Sequence, residues 1–195
     1  MYSRQAKSGP TAVPLLLPVM LDLTGKTLLF VGGGKAIAAK LRLLETMRDI
    51  GSGFPHVIIV APAVEDDIRR FVERWHEASY QASFRIDHAP ELHERPFQTG
   101  DLDGVDILWA YTDDPVLNKA IARAATSRRI LASVTGVRGA GGFIQPAILR
   151  SEGLPDNLTI TVSTSGNDPR LAVSWRDKIA NFIREEQYSY SPEDD

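Results

Sequence analysis

The feature that most constrains this chain is a change of period across three consecutive glycines. Residues Thr27-Leu-Leu-Phe-Val31 form a short apolar run, Gly32-Gly-Gly34 follow at once, and from Lys35 the apolar residues Ile37, Leu41 and Leu44 fall at helical spacing. A buried strand turning tightly into an amphipathic helix is an α/β arrangement. It is also where a dinucleotide fold sets a pyrophosphate. The first glycine permits the turn, the second lets backbone N–H groups approach without a Cβ in the way, and the helix N-terminus adds partial positive charge. The third small position of that fingerprint carries Ile37. The glycines alone therefore fit either a dinucleotide site or a plain strand–helix turn of another α/β fold. The next apolar run, Val57 to Val60, ends in Ala61-Pro62, with neither a carboxylate for a ribose hydroxyl nor an arginine for a 2′-phosphate. NAD and NADP are not separable from this turn.

The same alternation continues downstream. Ile68, Phe71, Val72 and Trp75 mark a second amphipathic helix, with acids at 65–67 in its first turn where the helix dipole favours them. Ser83 to Asp87 alternates weakly and is expected as a third strand, and His88 to Asp103, with Pro90, Pro96 and Gly100, as a loop. Val105 to Tyr111 is a strong strand; Asp114 caps a helix opened by Pro115 and continued through Leu117, Ile121 and Ala125; Ile130 to Thr135 is a further strand. Strands separated by helices predict a parallel sheet with helical cover. Near Gly136 the rhythm changes. Two strands, Phe143 to Leu149 and Leu158 to Ser163, follow without a helix between them, and Asp168-Pro169 opens a last helix. Its apolar residues are Leu171, Ala172, Trp175, Ile179, Phe182 and Ile183. The expected organisation is a loose tail over 1–14, a Rossmann-like domain over 15–136, a strand–strand–helix dimerisation region over 137–187 and an acidic tail over 188–195.

Composition excludes several classes. The formal net charge of −3 over 195 residues is too balanced to advertise a nucleic-acid partner. Without cysteine there is no disulfide, thiolate zinc site, iron–sulfur cluster or cysteine nucleophile. Of the four histidines, His88 and His93 stand five apart in a proline-containing loop, so no resident metal site is expected. Asp87 and His88 are the residues that transient metal contact would use. Val13 to Leu21 is apolar but broken by Pro14 and Pro18, and no run nears the roughly 18 residues of a membrane span. Neither a signal peptide nor a membrane partner is expected, and the cytoplasm is the expected location.

Thr112-Asp-Asp114 directly follows the strand ending at Tyr111, at the carboxyl edge of the sheet where ligands of open α/β folds bind. Asp113 there suits a ribose hydroxyl or acid/base work, and Asn118 lies one turn further on. Ser163-Thr-Ser-Gly-Asn167 precedes a helix start, so it either caps that helix or receives an anion.

Taken in order, several stretches resemble the precorrin-2 dehydrogenase family, the NAD-dependent module of siroheme synthases. They are Leu21-Asp-Leu-x-Gly-Lys26, Val31-Gly-Gly-Gly34 with Lys40, Val60-Ala-Pro62, Asp101-Leu-Asp-Gly104, Thr112-Asp-Asp114 with Asn118, Phe143-Ile-Gln-Pro-Ala-Ile148 and Leu158 to Gly166. The resemblance implies a Rossmann domain binding NAD, a homodimer, and oxidation of precorrin-2 to sirohydrochlorin, in some members followed by Fe²⁺ insertion. It assigns Gly32, Gly33 and Gly34 to the pyrophosphate, and Thr112, Asp113 and Asn118 to the cofactor side. Because precorrin-2 is a polycarboxylate, Arg138, Ser163, Ser165 and Arg170 are its expected binding residues. The family's acid/base aspartate, which follows the last Rossmann strand, is absent: the motif reads Ser133-Val-Thr-Gly136. Asp113 is then the remaining catalytic candidate, and the alternative is a non-catalytic tetrapyrrole- or nucleotide-binding relative.

Overall fold

The structure, a computed structural model, describes residues 15–46, 54–81, 89–137, 142–150 and 158–189. At its centre lies β1 (Thr27–Val31), whose Leu28, Leu29 and Phe30 are fully buried. A strand with apolar side chains on both faces is stable only inside a sheet covered on both sides. Period-two alternation decides the partners: Leu28 and Phe30 join one core cluster, Leu29 and Val31 the other. The first cluster is closed by α1 (Lys35–Glu45), through Ile37 and Leu41, and by α2 (Asp66–Gln81), through Ile68, Phe71 and Trp75. The second is closed by α3 (Pro115–Ser127), through Ile121 and Ala125.

With β2 (His56–Val60), β3 (Glu91–His93), β4 (Ile107–Ala110) and β5 (Leu131–Val134), the sheet order is β3-β2-β1-β4-β5, every pairing parallel. The chain moves outward from β1 to β3 and then returns to β4 on β1's other side. That reversal opens a crevice beyond the carboxyl ends of β1 and β4.

The third strand differs from expectation. It is Glu91–His93, inside the stretch read as loop, while Ser83–Asp87 lies outside the described residues. Three residues with two charged or polar side chains carry no periodic signal. β3 is specified by pairing, Ile58 to Val60 aligning with Glu91 to His93. Its Glu91 accepts from His56 at 2.8 Å and from His93 at 3.0 Å.

Beyond the sheet, β6 (Ala147–Leu149) and β7 (Ile160–Val162) pair antiparallel, and α4 (Pro169–Ser189) packs on both. This is the expected small strand–strand–helix unit, with shorter strands; α4 itself reaches two residues into the stretch read as tail. The residues 1–14 and 151–157 fall outside the described set. An aromatic junction joins the unit to the sheet. Trp109 stacks on Phe30 with centroids 4.8 Å apart, meets Phe143 edge-on at 5.4 Å, and donates its indole N–H to Gln145 Oε1 at 3.0 Å. The apolar residues of α4 divide. Ala172 and Ala180 are buried, whereas Leu171, Trp175 and Phe182 face outward, Phe182 at 61% exposure. Among the described residues no helix is long and apolar enough to cross a membrane.

Candidate functional site

The glycine turn is built from two main chains in contact. Gly32 has φ +121°, and a Cβ there would overlap the Tyr111 carbonyl at the end of β4. A Cβ on Gly33 would overlap the Ala63 carbonyl in the loop after β2. Hydrogen bonds hold both approaches: Tyr111 N–H to Val31 O at 2.9 Å and Glu65 N–H to Gly33 O at 2.8 Å. Gly34 is different. It is the N-cap of α1, has no side chain to cap it, and a Cβ there would meet nothing within 4 Å. The first turn of α1 therefore meets solvent with the N–H groups of Lys35 and Ala36 open to an anion, that of Ile37 being donated to Gly34 O at 3.0 Å. No acid stands in that turn, and Lys35, exposed at its first position, adds positive charge where the helix dipole alone disfavours it. Ile37, read as a defect of the fingerprint, is fully buried in the core between α1 and the sheet.

Across the crevice, Thr112 to Asp114 form the loop after β4. Asp114 accepts from the N–H groups of Val116 and Leu117 at 2.8 and 3.1 Å, which is the expected cap. Asn118, 2% exposed, is turned onto that loop: its Nδ2 donates to Thr112 O at 2.9 Å and its Oδ1 accepts from Thr112 Oγ1 at 2.8 Å. Its polar atoms thus fix the loop. Asp113, beside it, is exposed. Tyr111 shares a hydrogen bond with Ser133 at 2.9 Å, and burial pushes its phenol upward, the serine bond working against that. Gly136, at the missing aspartate's place, turns the chain after β5 with φ +72° and open space around it.

The expected anion residues near α4 divide. Thr164 Oγ1 donates to Asp168 O at 2.8 Å and accepts from Asp168 N–H at 3.0 Å, Ser163 Oγ accepts from Ser165 N–H at 3.1 Å, and Asp168 accepts from Leu171 N–H at 3.0 Å. The run thus builds the cap of α4. Arg170 is exposed, and Arg138 lies outside the described residues. A cavity of about 330 Å³ does open nearby, between α1 and the second unit; Ser163 and Arg176 line it, and so does Lys40 of α1, but Ser165 and Arg170 do not. Sequence reasoning named Lys40 only within the glycine motif of the resemblance and gave it no role, and it passed over Lys35, whose signal is its position at the opening of the helix behind the glycines. Among the described residues no group of three histidines or acids is placed to hold a metal.

A parallel sheet in this order, with an open helix N-terminus behind a glycine turn at its switch point, defines a dinucleotide-binding α/β protein. The family model described as "Putative NAD(P)-binding" matches residues 19–147, and the chain belongs to that family. The siroheme synthase of Pseudomonas aeruginosa (strain UCBPP-PA14) is 34% identical over 168 residues, 86% of this chain and 31% of that protein. The siroheme synthase of Thioalkalivibrio sulfidiphilus is 30% identical over 167 residues, 85% of this chain and 29% of that protein. The chain thus spans about a third of the length of these curated relatives. Among solved structures, SirC, precorrin-2 dehydrogenase, shares the fold with a TM-score of 0.62 and 23% identity, over 90% of this chain and 77% of that one. The resemblance read from the motifs and these comparisons point to the same proteins, siroheme synthases and a precorrin-2 dehydrogenase. The cofactor is of the NAD type, and the open cradle at Gly34 fits its pyrophosphate.

Proposed function

We propose that this protein is an NAD-dependent dehydrogenase that oxidises precorrin-2 to sirohydrochlorin in siroheme biosynthesis. The observation that carries the reading is the uncapped N-terminus of α1, open at Gly34, in a chain 34% identical to siroheme synthases. In this reading Gly32, Gly33 and Gly34 form the cradle, the first two by shaping it and the third by leaving room for the pyrophosphate. NAD, when bound, supplies the two-electron acceptor. Thr112 and Asp113 line the cofactor side, with Asn118 holding their loop in place. The Asp113 carboxylate takes the substrate proton, a contribution typically worth about 10² to 10⁴ in rate. Ser163, with the charged groups of the second unit, faces the substrate. The reading also includes a division near residue 136, a homodimer through the outward face of α4, a cytoplasmic location, and iron insertion as a second step.

A second reading, a binding relative without turnover, is favoured by Gly136. Purified protein with precorrin-2 and NAD, followed by NADH absorbance at 340 nm, separates the two. Slow turnover is expected in the wild type and less in Asp113→Asn. A rise is expected in Gly136→Asp, whose left-handed backbone aspartate tolerates better than most residues. No NADH from any of the three proteins would favour the binding relative. Full rates unaffected by Asp113→Asn would remove Asp113 from its role.

A further inference from the structure

We propose that Lys40 anchors a carboxylate arm of the ligand, received in the cavity between α1 and the β6–β7–α4 unit. The inference rests on the tetrapyrrole reading above and names a residue for it. Lys40 and Leu43 line this cavity from α1, facing Gln145, Pro146, Thr164 and Arg176. Its volume, about 330 Å³, is at the lower end of the roughly 300–1,000 Å³ usual for ligand sites. A macrocycle would not be enclosed by it; one ring edge with its acid arms would be. The lining suits that division, with Leu43 and Pro146 for the ring and a cation for the acid.

Half-buried Lys40 differs from the paired arginines around it. Arg42 is paired with Asp67 at 2.8 Å, Arg74 with Glu45 at 2.7 Å, and Arg176 with the neighbouring Asp177 at 2.5 Å. Among the described residues no carboxylate pairs with Lys40, whose Nζ lies 6.0 Å from the centroid of the Tyr111 ring, at the outer limit of a cation–π contact. Burial without a counter-ion lowers its pKa from the ordinary lysine value. A half-buried ammonium facing a cavity without a counter-ion is unfavourable, and an arriving carboxylate removes that cost. The site is also placed for the chemistry. Six residues of helix separate Lys40 from Gly34, roughly 9 Å along α1, so one helix presents its N-terminus to the cofactor and its flank to the ligand.

The test is a fluorescence titration of the full chain with uroporphyrin, a stable porphyrin bearing eight carboxylates. Wild type, Lys40→Met, Lys40→Arg and, as an exposed-lysine control, Lys178→Met are compared, with NAD affinity measured by calorimetry on each. Lys40→Met is expected to bind uroporphyrin about tenfold more weakly or worse, the loss of one charge-assisted hydrogen bond. Lys40→Arg should stay within about threefold of wild type, and Lys178→Met should match it, all with unchanged NAD affinity. Lys40→Met should melt no lower than wild type, because it removes an unpaired charge. Equal binding by wild type and Lys40→Met would overturn the assignment of Lys40 while leaving the tetrapyrrole reading intact. A drop in melting temperature for Lys40→Met would make the lysine a structural element and overturn it too. A wild type that binds NAD but no uroporphyrin would overturn the tetrapyrrole reading itself.

Discussion

The parallel sheet and the β6–β7–α4 unit solve the problem of apolar surface in opposite ways. In the sheet every residue of β4 is buried, and the two faces of β1 are each closed by helices of the same chain. In the second unit β7 is at best half-buried, and α4 leaves Leu171, Trp175 and Phe182 on its outer side. The first region is complete as a monomer. The second has the sequence of a core and the exposure of a surface, which is what a face made for another surface looks like. If the proposed homodimer forms through α4, stability and assembly are carried by separate parts of the chain, and substitutions should separate them.

The sharpest contrast is expected within the glycine turn, where two neighbours should behave as opposites. Gly33→Val drives a side chain into the Ala63 carbonyl, and overpacking against rigid main chain costs on the order of 3 kcal/mol. Gly34→Val meets nothing and should melt close to wild type while losing NAD affinity. Thermal denaturation and calorimetry on the two proteins check this; a Gly34→Val protein that binds NAD normally would remove the turn from the cofactor site.

Next comes the direct contrast of the two regions. Phe30→Ala deletes a buried ring stacked on Trp109 and should cost about 3 to 5 kcal/mol in denaturant unfolding. Trp175→Glu, on the outer side of α4, should change monomer stability by less than about 0.5 kcal/mol yet convert a dimer to a monomer in light scattering. A wild type already monomeric at micromolar concentration would break the comparison.

The smallest effect is pH-dependent and belongs to the sheet's edge. Arg95 binds both oxygens of Asp101, at 2.6 and 2.9 Å, and Gln98 N–H donates to the same carboxylate at 2.8 Å. The arginine bond first, and the backbone bond after it, hold this carboxyl below its ordinary value, against the opposing pull of burial. A carboxyl with a lowered folded-state pKa contributes stability above its unfolded value, near 3.9, and that contribution is lost as the pH falls through the folded-state value. Asp101→Asn should therefore lower the melting temperature at pH 7, with the gap to wild type closing in acid. A gap that persists at pH 2 would mean that the carboxylate's charge is not what matters.

What the sequence disclosed follows the physics of each signal. β1, β4, α2 and α3 were legible because burial leaves a periodic trace and Asp114-Pro115 leaves a cap. β3 was not, because three residues held by pairing with β2 leave none. The cofactor turn was legible as a motif, but the division of labour within it was not, since only neighbouring backbone distinguishes the crowded Gly33 from the open Gly34. Asn118 was placed at the crevice without its partners, and a sequence does not say that its amide closes on Thr112. The positive groups for a polyanion were sought among the arginines at 138 and 170. Lys40, on an early helix, lines the same cavity as Thr164, more than a hundred residues further along the chain, and only the fold discloses that.

The contact of Gly32 with the end of β4 has a bearing on how such proteins diversify. The gap between the two loops that flank the crevice is gauged by one stretch of main chain resting on another, not by any side chain. Side chains that line the opening can therefore be exchanged without altering its width, so a change of ligand preference need not disturb the turn that faces the cofactor. The gauge itself has a single setting: a methyl group at Gly32 would wedge the loops apart, so the position has no neighbouring alternative from which a new width might be reached by small steps.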